Sequence, residues 1–181
     1  MKMKLSIGGW KAGYVNVDLY DKRADYMRPI WDTGLDDSAY DWIEAIHVLE
    51  HCPYQQVVPA LKEIGRLLTP SGSAAVMVPD LSRAFRMQLE KPCWPPFAAI
   101  YGNQKNEGQF HHTCFSPETL ATVISQNAGL RLVSIETIDY NADRTAIERI
   151  TRIGNPTPDF TRLTARIRIG ILAHIKKLSR T

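Results

Sequence analysis

Ser38-Ala-Tyr-Asp-Trp-Ile-Glu-Ala-Ile-His-Val-Leu-Glu-His51 is the stretch on which the fold turns. Within it, Trp42 to Val48 is a largely apolar run of strand length. Such a run suits a strand buried on both faces, as in a parallel sheet. It obliges Glu44 and His47 to find partners or solvent, because a buried polar group without a partner is costly. The next segment is helical: Val57, Val58, Leu61, Ile64, Leu67 and Leu68 fall on one face of Tyr54 to Leu68. Thr69-Pro-Ser-Gly stops that helix. Ser73 to Val78, small and β-branched, predicts another strand closed by Pro79-Asp80.

Upstream, Lys4 to Ile7 and Tyr14 to Leu19 read as strands, and Asp25 to Ile30 as a third short one before the turn-rich Asp32-Thr-Gly-Leu-Asp-Asp-Ser. Parallel strands need crossovers, so the early connections must be short helices or loops. Downstream, Leu81 to Leu89 is expected to be helical, Pro92-Cys-Trp-Pro-Pro to break the chain, and Ile100 to Gly108 to form a polar loop. Ser116-Pro-Glu-Thr opens a helix with Ser116 as cap and Pro117 in its first position. That helix is expected to run to Ala128, with Gly129 as its C-terminal cap. Leu130 to Ile138 alternates as a strand, and Thr145 to Ile153 supplies an antiparallel partner.

The 181 residues suit one domain with a full core. A hydrophobic share of 44% and a charged share of 23% are those of an ordinary globular protein. No apolar run reaches the roughly 20 residues that span a bilayer. The basic start Met1-Lys-Met-Lys is broken by Gly8, Gly9 and Lys11, which argues against a signal peptide. Cys52, Cys93 and Cys114 are scattered and in no metal-ligand spacing, so free thiols in a reducing cytoplasm and no metal centre are expected. A net charge of +3 is too mild to imply nucleic acid.

Four segments, in order, carry a family resemblance: Lys4-Leu-Ser-Ile-Gly-Gly with Gly13-Tyr-Val-Asn-Val-Asp-Leu19; Ser38 to His51; Leu61-Lys-Glu-Ile-Gly-Arg-Leu-Leu-Thr-Pro-Ser-Gly-Ser with Val76-Met-Val-Pro-Asp80; and Ile100-Tyr-Gly-Asn-Gln with Phe110-His-His-Thr-Cys-Phe-Ser116. Together they resemble the type 11-like branch of the class I S-adenosylmethionine-dependent methyltransferases over residues 4 to about 152. The resemblance implies an α/β, Rossmann-like, mostly parallel sheet with helices on both faces and its last strand antiparallel. It implies S-adenosylmethionine as cofactor and a small-molecule or glycan acceptor.

By that resemblance Gly8 and Gly9 meet the methionine part of the cofactor, Asp18 the ribose, and Ile46 and His47 border the transferable methyl. His47, His51 and His111 are the candidate catalytic bases, since an imidazole titrates near neutral pH. Pro29 stands where relatives place an aspartate for the adenine, and Asp32 is the nearby substitute. Alternative readings accompany each: Gly8-Gly9 as an ordinary turn, Asp18 as a solvated strand end, Glu50 and His51 as orienters of the next helix, and His111-His112 as a surface pair. One departure is pronounced. Gly8 and Asp18 are only ten positions apart, against about 20 in a dinucleotide fingerprint. That shortness keeps a second reading open: a catalytically inactive methyltransferase-like binding or assembly module.

Residues 1–154 are expected to form the methyltransferase-like domain and 155–181 a linker and basic amphipathic helix. Phe160, Leu163, Ile167, Ile171, Ile175 and Leu178 recur at helical spacing there, flanked by Arg and Lys. That helix would dock on its own domain or on a second copy in a homodimer; an anionic membrane surface over 159–181 is the rival partner.

Overall fold

The computed structural model describes residues 3–90, 94–126, 130–139 and 169–177. Lys4–Ile7 (β1), Val15–Val17 (β2), Tyr40–Ile46 (β3), Leu68–Pro79 (β4), Leu130–Asp139 (β5) and Ile169–Lys177 (β6) form one sheet in the order β2-β1-β3-β4-β6-β5. The first four of these strands in the sheet run parallel, and β6 is antiparallel to both of its neighbours. The connection from β3 to β4 is the crossover expected from the sequence, through helix α1 (Tyr54–Leu67). It carries Val57, Ala60, Leu61, Ile64 and Leu67 against the sheet. Leu120 and Ile124 of α4 (Pro117–Ser125) join the same core.

Side-chain alternation divides the sheet cleanly. Ile43 and Ala45 of β3, Val76 and Val78 of β4, and Ile171, Ala173 and Ile175 of β6 enter the main core. Trp42, Ala75, Met77 and Leu172 form a smaller cluster with Tyr14 and Ile46 packed on it. Between the pairs Tyr40–Leu68 and Trp42–Ser73 one residue of β3 faces the segment Thr69–Gly72, so the stretch expected to end the helix forms an irregularity inside β4.

The helix expected over residues 159–181 is not what residues 169–177 form: they are strand β6. The reason lies in the spacing. Residues four apart share a helix face, but four is also a multiple of two, so Ile171 and Ile175 share a strand face equally well. The residues between them, Leu172, Ala173 and His174, are buried too, as a central strand requires. Of the apolar side chains assigned to docking or to a membrane surface, Ile171 and Ile175 are buried inside the sheet, while Phe160, Leu163, Ile167 and Leu178 lie outside the described residues. The expected strand Thr145–Ile153, the linker from Gly154, and residues 155–168 and 178–181 lie outside the described residues.

Three further expectations change. Asp25 to Ile30 forms no strand; it makes a single bridge, Val17 to Tyr26. In place of a ladder, Asn16 N donates to Asp25 Oδ2 at 2.8 Å and Asn16 O accepts from Tyr26 N at 3.1 Å. Trp94-Pro-Pro, expected within a break, instead opens a helix: α2 (Leu81–Glu90) ends at Glu90, residues 91–93 lie outside the described residues, and α3 (Trp94–Tyr101) has Pro95 and Pro96 in its first turn, where a missing N–H is tolerated. Finally, α4 stops at Ser125 with Gln126 as the closing residue, and Gly129 lies outside the described residues. Its start is as expected, with Ser116 Oγ accepting from Thr119 N at 3.2 Å and Thr119 Oγ1 accepting from Ser116 N at 2.7 Å.

Candidate active site

Because β1, β2 and β3 are parallel, their C-terminal ends meet at one edge of the sheet, the place where open α/β sheets bind ligands. Gly8, Asp18 and His47 are the residues that immediately follow those three strands. All three line one cleft of about 530 Å³, together with His51 and His112.

Gly8 has φ +89°, a region that favours glycine, and a Cβ there would lie 2.9 Å from Val48 Cβ. The turn after β1 is thus pressed against the end of β3, and bare backbone faces the cleft. Asp18 is anchored rather than loose: Oδ1 accepts from Tyr20 N at 2.7 Å and from Asp21 N at 2.8 Å. His47 leaves β3 with φ +53°, unusual for a residue with a side chain, while its N–H donates to Met77 O at 2.9 Å. That turn brings His47 Nδ1 to 2.8 Å from Glu50 Oε1. A carboxylate accepts only, so a neutral His47 ring carries its proton on Nδ1 and its lone pair on Nε2.

Glu50 lies in the short 3-10 turn Leu49–His51 and is buried. Burial by itself raises its carboxyl. The His47 ring, through charge and hydrogen bond, and then His51 and His111, outweigh that and hold it below its ordinary value. The backbone carbonyl of Glu50 accepts from His112 N at 2.8 Å and Thr113 N at 3.1 Å, which ties the loop of residues 102–113 over the site. The same loop packs Gly108 so tightly on the Tyr20 ring that a Cβ there would lie 2.5 Å from Tyr20 Cδ2.

The sequence-expected residues separate accordingly. Gly8, Asp18, His47 and His51 share the cleft, whereas Gly9, exposed Asp32, Ile46 and His111 are outside its lining. His111 lies behind it, with its ring centroid 4.8 Å from that of His51. His112, for which a surface pair with His111 was the alternative reading, lines the cleft.

The short link from β1 to β2 is held by a network across the sheet. Glu44, 2% exposed, accepts from Lys11 Nζ at 2.6 Å, Tyr14 OH at 2.8 Å and Trp42 Nε1 at 2.9 Å. Burial, and then the Glu44 charge, push the Tyr14 phenol well above its ordinary value. The requirement that Glu44 and His47 find partners was readable from the sequence. Lys11 as the partner of Glu44 was not, because the two lie 33 positions apart in separate segments; Glu50 stands three residues after His47 in the same stretch, but which neighbour its carboxylate meets depends on the turn after β3.

No protein-family profile and no curated protein match the sequence. Solved structures do. A methyltransferase from Methanosarcina mazei is 11% identical with a TM-score of 0.63, over 98% of this chain and 93% of that one. The 1,6-didemethyltoxoflavin-N1-methyltransferase of Burkholderia thailandensis, with 1,6-didemethyltoxoflavin and S-adenosylhomocysteine bound, is 13% identical with a TM-score of 0.56 over 98% and 72%. The N-methyltransferase NodS of Bradyrhizobium japonicum, in complex with S-adenosylhomocysteine, is 13% identical with a TM-score of 0.55 over 97% and 78%. The chain has the Rossmann-like fold of the class I S-adenosylmethionine-dependent methyltransferases.

Proposed function

We propose that the chain binds S-adenosylmethionine in this cleft and transfers the methyl group to a small-molecule or glycan acceptor. One observation carries the reading: three parallel strands deliver Gly8, Asp18 and His47 to the same cleft. Its volume of about 530 Å³ lies within the usual span for ligand pockets. The residues present fit the cofactor: glycine backbone for close approach after β1, and an anchored carboxylate after β2 to accept from ribose hydroxyls. When bound, S-adenosylmethionine supplies a methyl already activated on a sulfonium.

The residues of this chain then have alignment as their main task. His47, held at Nδ1 by Glu50, offers Nε2 to take the proton of an acceptor hydroxyl or amine. Gly108 and Tyr20, packed on each other, both line the cleft.

A second reading, a non-catalytic binding module, is favoured by one observation. Residues 8–14 alone connect β1 to β2 and contain no helix, so no helix N-terminus is supplied to the ligand there. Calorimetry separates the two. S-adenosylhomocysteine should bind wild-type protein below millimolar concentration, and Asp18→Ala should weaken binding by about tenfold or more, roughly 1.4 kcal/mol. No binding to the folded wild type at millimolar ligand would overturn the cofactor assignment. Binding without methyl transfer to any hydroxyl acceptor in a panel of sugars and small alcohols would favour the module.

A further inference from the structure

Glu50 is 1% exposed, and only one of its carboxylate oxygens is satisfied. Oε1 meets His47, while Oε2 has no hydrogen-bond partner among the described residues. Leaving a buried carboxylate oxygen without a partner is costly. Its surroundings are specific. His51 Nδ1 lies 2.9 Å from Phe110 O, and His111 Nδ1 lies 3.0 Å from Ala99 O. A carbonyl only accepts, so both rings carry a proton on Nδ1, and in the neutral ring the lone pair is on Nε2. The two rings meet edge to face, and one ligand atom from each of Glu50, His51 and His111 lies within 4.8 Å of the others. Burial favours the neutral form of His111.

We propose that Glu50, His51 and His111 form a binding site for a divalent transition metal, with zinc as its best-matched ion. Two imidazoles and one carboxylate are a donor set suited to zinc, or to iron and manganese, while magnesium and calcium prefer oxygen alone. The outer contacts are those of a metal site: each histidine donates its other N–H to a carbonyl, and the carboxylate is oriented by a hydrogen bond from His47. Two ligands on one zinc stand about 3.4 Å apart in tetrahedral geometry, so binding draws the three groups inward by about an ångström. The ion would connect the turn after β3 to the loop of residues 102–113. His51 also lines the cleft, so the ion would sit at its border.

The test is titration of the full chain, stripped with chelator, with zinc chloride and separately with cobalt chloride, without S-adenosylmethionine. Metal binding is thereby read independently of cofactor binding. The expected result is about one zinc per chain at micromolar or tighter dissociation constant, d–d bands of a four- or five-coordinate cobalt site, and a raised melting temperature. His51→Ala and His111→Ala should each weaken zinc about 100-fold, and Glu50→Gln should alter the cobalt spectrum. His112→Ala, which removes a neighbouring exposed imidazole, should leave affinity unchanged. Where a single variant fails to give the native circular dichroism spectrum, His111→Gln replaces it. Absence of saturable binding to folded wild type at about 100 μM zinc overturns the site. So does unchanged affinity in the folded double variant His51→Ala/His111→Ala, or loss of binding with His112→Ala alone.

Discussion

Glu63 shows how much a single carboxylate can hold together. From α1 it accepts from Thr33 N at 3.1 Å, from Thr33 Oγ1, and from Arg66 Nε and Nη2 at 2.7 Å each, while Arg66 also reaches Asp37. Burial raises this carboxyl, but Arg66 and then Thr33 outweigh burial and leave it below its ordinary value of 4.5. A depressed carboxylate contributes its stability in full above the unfolded value and loses it as pH falls through the folded one. Glu63→Ala should therefore cost roughly 1–2 kcal/mol at pH 7. It should also flatten the fall of stability below about pH 4.5, as read from urea midpoints across that range. The residue-scale demands were legible in the sequence wherever a polar group fell in an apolar run, as at Glu44. Their partners were not, since the Lys11–Glu44 contact spans 33 positions.

Among the elements, β6 carries the sharpest lesson. Its pairing with β4 from Ser73–Lys176 to Pro79–Gly170, and with β5 on the other side, makes it an interior strand. Ile175 is fully buried in the main core, so Ile175→Ala should cost about 2–5 kcal/mol. Lys176, exposed, should tolerate alanine within about 0.5 kcal/mol. Chemical denaturation of both variants checks the pair; equal small effects would contradict the interior position. The crossover β3-α1-β4 and the cap at Ser116 were readable because each rests on local pattern. Strand β6 was not, because an interval of four fits both periods and only the gap between β4 and β5 decides between them. The missing strand at Asp25 to Ile30 has a similar cause: Tyr26 and Asp25 satisfy Asn16 without building a ladder.

At the scale of the whole molecule, Cys52 offers a gauge of cooperativity. It is 1% exposed within the main core, and burial, followed by the Glu50 charge, pushes its thiol up to about 12. The thiolate is the reactive form. Alkylation of Cys52 at pH 8 should therefore proceed only through global opening. Its rate should rise with urea in step with the unfolding equilibrium, followed by mass spectrometry of the Cys52 peptide. Rapid labelling in native buffer would show a local opening instead. The arrangement of the whole was legible from the ordered motifs, because β1, β2, β3 and β4 follow in the expected sequence. What no motif contains is how the sheet ends. The strand β2 stands at its border, and a border strand ordinarily offers its outward amide to any passing chain. Here the Asp25 carboxylate already holds the Asn16 amide and the Tyr26 amide holds the Asn16 carbonyl. The same two contacts that replace a seventh strand also place a negative charge where an intruding strand would have to dock its carbonyl, so this border is self-sealing against fibril-like stacking of one molecule on the next.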